Sequence, residues 1–122
     1  FEFEYHYRPT GESLRRLYAS CDIYLCSSWY EGLGMPSMEA MACGSALVTT
    51  DTGGSWDYAI DGETALVSQP KNQQALTDNL ARVLNDKALK NRLAENGHQK
   101  IKEFSWEANS SRLDMFFKES LV

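Results

Sequence analysis

Ser27-Ser28-Trp29-Tyr30-Glu31-Gly32-Leu33-Gly34-Met35-Pro36-Ser37-Met38-Glu39-Ala40-Met41-Ala42-Cys43-Gly44 is the stretch whose reading decides the fold. It lies between two short apolar runs, Ile23-Tyr24-Leu25-Cys26 and Ala46-Leu47-Val48-Thr49-Thr50. Runs of this length bounded by turn residues read as buried strands. Within the stretch, residues 27–34 form a loop. Residues 36–43 form a helix, with Pro36 near its first turn and Gly44 just past its end. A strand, a glycine-containing loop, a helix and a second strand make a βαβ unit, which implies parallel pairing.

The flanks extend the pattern. Upstream, residues 1–7 alternate and are rich in Phe and Tyr, so they read as a strand, broken by Pro9-Thr10-Gly11. Residues 13–20 carry Leu14, Leu17 and Tyr18 at helical spacing. Downstream, Gly53-Gly54 and Asp61-Gly62 mark turns, and residues 64–67 form a last short strand. Residues 72–119 are helical. Asn72 caps a helix over 73–85 with Leu76, Leu80, Val83 and Leu84 on one face. A second helix covers 87–103 with Leu89, Leu93 and Ile101 together and Gly97 as a weak point. Ser105 caps a third from Trp106 to about Glu119, with Leu113, Phe116 and Phe117 inward. Short strands alternating with helices predict an α/β fold, a three-layer Rossmann-like arrangement with a mostly parallel sheet. Ligands of such sheets bind beyond the carboxyl ends of the strands. Loops 27–35, 50–55 and 8–12 are therefore the candidates to line a site.

Composition narrows the function classes. The 122 residues suit one domain, 1–122, with 43% hydrophobic and 24% charged residues. The net charge is -5 and the basic residues are scattered, which argues against a nucleic-acid partner. No apolar run is long enough to span a bilayer. The first residues lack a signal-peptide pattern, so a cytoplasmic setting is expected. There is no initiator Met, and the chain reads as excised from something longer. Cys21, Cys26 and Cys43 have no metal-ligand spacing and read as buried free thiols. His98 falls in a polar stretch and reads as exposed.

The chemistry concentrates in the quoted stretch. A loop with Gly32 and Gly34 allows close backbone approach to a ligand, and it runs into a helix whose first N–H groups have no intrahelical partner. That is an anion site suited to phosphate. It is neither a Walker loop nor a GxGxxG turn. Glu31 and Glu39 flank it. Carboxylates repel phosphate but accept hydrogen bonds from hydroxyls, as the acidic residue of dinucleotide-binding folds does on ribose. Two acids around one phosphate site suit a ligand with hydroxyls on both sides of a diphosphate, which is the form of a nucleotide sugar. The plainer alternative is that both are solvated charges at helix ends.

The same residues resemble the signature of family-4 retaining glycosyltransferases of the GT-B fold: Glu31 and Glu39 separated by seven residues, followed by Ala40-Met41-Ala42-Cys43-Gly44. The similarity continues through residues 46–54 and 61–67, upstream over 17–28, and downstream at Glu103-Phe104-Ser105-Trp106-Glu107. The resemblance implies a truncated C-terminal domain of a GT-B fold that binds a UDP-, GDP- or ADP-sugar. It assigns Glu31 to the donor sugar as the catalytic carboxylate and Glu39 to the ribose hydroxyls. Gly32, Leu33, Gly34, Met35 and Pro36 would meet the donor, with N–H groups near Gly34 and Met35 on sugar and diphosphate. It implies no metal and no further cofactor, and retention at the anomeric carbon. Asp57 stands where the family often has Glu, and Trp56 is unusual in its loop.

The resemblance also implies missing partners. The acceptor-binding domain and the basic residues that grip the diphosphate would lie upstream in the same polypeptide, with any contact to the cytoplasmic face of a membrane. The fragment alone is expected to be inactive. In the strand order 3-2-1-4-5-6, residues 1–7 would be the third strand without its neighbours. They are expected to pair abnormally, to be disordered, or to swap into a strand-exchanged homodimer. Competing readings are a sugar-nucleotide epimerase of the same fold, a non-catalytic sugar-nucleotide-binding module, and a flavodoxin-like or receiver-like domain, which leaves the two glutamates unexplained.

Overall fold

The computed structural model describes residues 2–121. Its sheet has three parallel strands in the order β1-β2-β3: β1 (Ile23–Cys26), β2 (Ala46–Thr50) and β3 (Ala65–Ser68). Tyr24 stands beside Leu47, and Leu47 beside Ala65. The helices are α1 (Gly11–Ser20), α2 (Met35–Ala42), α3 (Gln73–Asn85), α4 (Lys87–Ile101) and α5 (Trp106–Ser120), with a short 3₁₀ turn at Lys102–Phe104 before α5.

Alternation along the strands sorts the apolar residues into two cores, one on each face of the sheet. One core holds Leu47 and Ala65 of the sheet with Met38 and Met41 of α2 and Tyr58 of the β2–β3 connection, with Tyr24 and Phe104 against them. The other holds Ala46, Val48 and Leu66 with Val83 of α3 and Leu93 of α4. Helices on both faces make the α/β three-layer arrangement that the pattern predicts. Every residue of β2 is buried, as a central strand covered on both sides requires.

Local chemistry sets the helix ends. The side chain of Asn72 accepts from Ala75 N at 3.0 Å, and that of Ser105 from Ala108 N at 3.1 Å, so both expected caps are in place. Asp86 caps α4 in the same way, accepting from Leu89 N at 2.9 Å. Several buried hydroxyls bond to the backbone, whereas Thr52 Oγ1 has no protein partner among the described residues. Ser45 Oγ donates to Cys21 O at 2.8 Å and Thr64 Oγ1 to Tyr58 O at 2.6 Å. Unpaired buried hydroxyls would be costly.

Several expectations are corrected. Residues 2–7 form no strand; Phe1 lies outside the described residues. A strand needs a ladder partner, and this segment instead runs beside α1, with Tyr5, His6 and Tyr7 lining a shallow cavity with Glu12 and Arg16. Leu113, Phe116 and Phe117 do not point inward; each is more than half exposed. The packing stops at the preceding turn, where the ring of Phe104 meets that of Tyr58 edge-on at 6.3 Å. Gly97 is a close approach rather than a weak point: a Cβ there would lie 2.9 Å from Met41 Cε and 3.2 Å from Thr64 O. His98 is half-buried, its Nδ1 3.0 Å from Ala42 O. The three cysteines are free, but Cys21 is exposed and Cys26 and Cys43 only half-buried. Cys26 lies on the edge strand β1, and Cys21 and Cys43 sit at the ends of α1 and α2, where the packing is incomplete.

Leu93 is fully buried between α3, α4 and the sheet. Leu93→Ala is expected to cost about 2–5 kcal/mol of unfolding free energy, read as a lower midpoint in urea denaturation.

Candidate functional site

The site begins where the chain leaves β1 and β2. The loops after these strands, 27–34 and 51–55, are fused by their backbones. Glu31 N donates to Thr52 O at 3.0 Å, and Thr50 Oγ1 donates to Ser28 O. A Cβ on Gly54 would fall 1.6 Å from Gly32 O, a distance at which nothing but hydrogen fits. Gly53, at φ +83°, tucks against the ring of Tyr30. Asp51 pins the second loop, its Oδ1 accepting from Gly53 N at 3.1 Å and from the Trp56 indole at 2.5 Å.

This clamp delivers the chain to α2. Gly34 is the residue before the helix and adopts the left-handed conformation, φ +76°. Its carbonyl accepts from Ser37 N at 3.0 Å and Met38 N at 3.3 Å, and from Tyr58 Oη at 3.4 Å. Among the described residues, no protein acceptor meets the N–H groups of Leu33, Gly34 and Met35. Pro36 contributes none. The result is a short array of free donors at a helix N-terminus, which favours an anion.

The two glutamates occupy different surroundings. Glu31 sits in the loop, half-buried, and accepts from Ser28 Oγ at 2.7 Å. Glu39 lies one turn into α2 and faces α1, sharing a cavity of about 370 Å³ with Gly11, Leu14, Arg15 and Tyr18. Loop 8–12 thus reaches the site through Gly11. Arg15 is engaged in a fork with Glu12, at 2.9 and 3.0 Å. Trp56 and Asp57 are exposed. The fold therefore brings Glu31, Gly32, Leu33, Gly34, Met35 and Pro36 into one continuous turn, with Glu39 on the helix that follows.

Sequence reasoning missed a layer of phenols beneath this turn. Tyr58 is fully buried, and burial pushes its phenol up to about 12. Burial, with the neighbouring Tyr24 and Glu39, raises Tyr18 to about 12 as well. Tyr24 is raised by burial and then by Cys26, Glu31 and Glu39, so it feels both site carboxylates. Tyr18 and Tyr24 meet edge-on at 5.8 Å. The signal was present as a tyrosine inside an apolar strand and another in the apolar face of a helix. A phenol there needs a polar outlet.

Among the described residues, no group of three or more His, Cys, Asp or Glu side chains is placed to hold a metal ion. No helix among the described residues is long and apolar enough to cross a membrane.

Comparison with known proteins identifies the domain. The sequence model of the family "Glycosyl transferases group 1" matches residues 4–100. The chain belongs to that family. It is 31% identical over 100 residues to an uncharacterized glycosyltransferase of Methanocaldococcus jannaschii, covering 82% of this chain and 28% of that protein. It is 30% identical over 115 residues to a D-inositol 3-phosphate glycosyltransferase of Corynebacterium glutamicum, covering 94% and 27%. The crystal structure of the C-terminal domain of a glycosyl transferase group 1 family protein of Francisella tularensis superposes with a TM-score of 0.73 at 28% identity. That match covers 80% of this chain and 50% of that one. The chain spans about a quarter of the length of these curated relatives and half of that C-terminal domain. The fold is that of a GT-B-type C-terminal domain. The family-4 placement drawn from the motif is corrected to group 1. The spacing of Glu31 and Glu39 encodes how a loop and a helix present two carboxylates, a geometry that does not by itself separate one division of these enzymes from another.

Two predictions test the scaffold. A Cβ on Gly34 would lie 2.5 Å from Tyr58 Oη, so Gly34→Ala combines a collision with left-handed strain and is expected to cost about 2–4 kcal/mol. The double variant Gly34→Ala/Tyr58→Phe should cost less than the sum of the two single variants in urea denaturation. The raised phenols set a pH limit. With folded values near 12 for Tyr18 and Tyr58 against an ordinary value of about 10, the unfolded chain ionises first. Their contribution is complete below pH 10 and lost as pH rises toward 12. Thermal unfolding across pH 9–12 should show that decline, and Tyr58→Phe should flatten it.

Proposed function

We propose that this group 1 glycosyl transferase domain binds the nucleotide-diphosphate-sugar donor of a retaining glycosyl transfer. The observation that carries the reading is the clamped turn, in which free N–H groups of Leu33, Gly34 and Met35 lie between a loop carboxylate, Glu31, and a helix carboxylate, Glu39. Donors of partial positive charge suit the diphosphate, and acceptor carboxylates suit hydroxyls on either side of it. Glu39 takes the ribose hydroxyls and Glu31 the donor sugar. The relative from Corynebacterium glutamicum is a D-inositol 3-phosphate glycosyltransferase, which supports sugar transfer as the reaction class.

The chemistry follows from charge. As the bond from the anomeric carbon to the leaving diphosphate breaks, negative charge grows on the phosphate oxygens and positive charge on the sugar ring. N–H groups fixed at the α2 N-terminus stabilise the first without rearranging. The Glu31 carboxylate stabilises the second and fixes the sugar. Retention follows if the acceptor hydroxyl enters on the face the diphosphate leaves, its proton passing to a phosphate oxygen. The acceptor side would lie in segments of the polypeptide outside this chain, so the chain alone is expected to show no turnover.

Calorimetric titration of the full-length polypeptide with UDP-glucose, GDP-mannose, an ADP-sugar and the free nucleotides tests this. One of the series should bind saturably. Glu39→Ala should weaken that nucleotide about tenfold or more, the loss of hydrogen bonds to a charged acceptor. Glu31→Ala should mainly lower turnover. Unchanged nucleotide affinity in Glu39→Ala would remove the ribose assignment.

A further inference from the structure

We infer that Tyr18 is the positioning residue for Glu39: its phenol, carried on α1, holds the Glu39 carboxylate of α2 at the cavity the two helices share. The inference rests on the reading of Glu39 as the ribose carboxylate and adds a residue that the paired-glutamate motif does not contain.

Three observations support it. First, Tyr18 and Glu39 line the same cavity of about 370 Å³, from opposite helices. Second, Tyr18 is held at both ends. Its carbonyl accepts from Ser45 Oγ at 3.3 Å and from Cys21 N at 3.1 Å, and its ring meets Tyr24 edge-on at 5.8 Å. Ser45 itself is fully buried at the start of β2, directly after the turn that ends α2. These contacts fix the C-terminal end of α1 beside β1 and the segment that follows α2. Third, the cation in the same cavity, Arg15, is committed to Glu12 through two hydrogen bonds. That leaves the phenol as the neutral donor facing Glu39.

A neutral donor suits this task better than a cation. A phenol has one O–H to give, whereas a carboxylate has about four acceptor positions. Tyr18 can fix one oxygen and leave the other lone pairs, with their full negative charge, for the two hydroxyls of a ribose. A free glutamate would lose rotamer freedom on binding, and a side chain already held has less to lose. Burial keeps the phenol protonated far above neutral pH, so the donor is present under all ordinary conditions.

The test is the discrimination between ribose and 2′-deoxyribose. The affinities of UDP, GDP and ADP, and of their 2′-deoxy counterparts, are measured on the full-length polypeptide and its variants. The wild type should prefer the ribonucleotide, and Glu39→Ala should abolish that preference. Tyr18→Phe, which keeps the ring and its contact with Tyr24, should lower the preference about two- to tenfold and weaken the 2′-deoxynucleotide, which keeps only its 3′-hydroxyl for Glu39, less than the ribonucleotide. Tyr18→Leu, which also removes the ring, should lower it no further. An unchanged preference in Tyr18→Phe overturns the inference, as does an equal weakening of both nucleotides, which would mark a packing role. If Glu39→Ala leaves the preference intact, the ribose assignment fails first and the inference falls with it. Absence of any nucleotide binding by the wild type overturns both.

Discussion

The contact between Gly54 and the carbonyl of Gly32 is the constraint on which the site depends. Two loops leave the ends of neighbouring parallel strands and touch backbone to backbone, too closely for any side chain at Gly54. The Glu31 N–H to Thr52 carbonyl bond closes the same junction. Parallel strands carry their loops to one end of the sheet, but they do not by themselves join them. The joint makes one rigid rim out of two flexible connections. It fixes where residue 31 ends and in which direction residues 33–35 turn. A loop able to sample many conformations would have to be ordered by its ligand at the expense of affinity. Here that ordering is built into folding.

Below the rim, the same economy governs the polar atoms. The β2 strand is buried throughout, and residues 49 and 50 bring hydroxyls into the interior. Thr50 sends its hydroxyl to the Ser28 carbonyl, so a buried polar group becomes a tie from β2 to the first loop. Thr64 does the equivalent at the other end of the β2–β3 connection, bonding Tyr58 O and accepting from Ile60 N at 2.8 Å. The hydroxyls of Thr50 and Thr64 thus satisfy themselves by tying down segments that have no regular structure of their own, while that of Thr49 bonds within β2 to the Thr50 carbonyl at 3.0 Å. The connection between β2 and β3 is therefore ordered enough to place Tyr58 under Gly34.

Much of this was legible in the sequence, for identifiable reasons. The apolar runs 23–26 and 46–50 define β1 and β2 at their observed bounds; β2, buried throughout, tolerates no polar interruption other than a self-satisfying hydroxyl, whereas β1 at the sheet edge is only half-buried with Leu25 exposed. Asn72 and Ser105 mark helix starts because a cap needs one short oxygen-bearing side chain at one position. Glu31, Gly34 and Glu39 stand out because glycine and acid at fixed spacing have few other uses. What failed was information carried by distant partners. The alternating residues 2–7 satisfy the local rule for a strand and find no ladder. The apolar face of α5 obeys helical periodicity and has nothing in the described chain to cover it. Gly97 looks like a helix defect until Met41 and the Thr64 carbonyl, far away in sequence, are brought against it. Periodicity reports which side of an element is apolar, not whether a neighbour arrives.

The tyrosines show the same limit at the site itself. In the sequence, Tyr18, Tyr24 and Tyr58 are large apolar residues of a helix, a strand and a loop. In space, they form a layer beneath the rim, with Tyr58 donating to the Gly34 carbonyl, Tyr18 facing Glu39, and Tyr24 within reach of the charge of both glutamates. Phenylalanine at position 58 would pack as well and would leave the carbonyl of the left-handed Gly34 without the hydroxyl beneath it. A phenol in a core is favourable only where its hydroxyl finds a partner. Three of them under one turn link the folding of the hydrophobic core to the geometry of the polar rim above it. Tyr58, packed in the core on the α2 face with its hydroxyl on the Gly34 carbonyl, is the point at which that core meets the turn that carries the site.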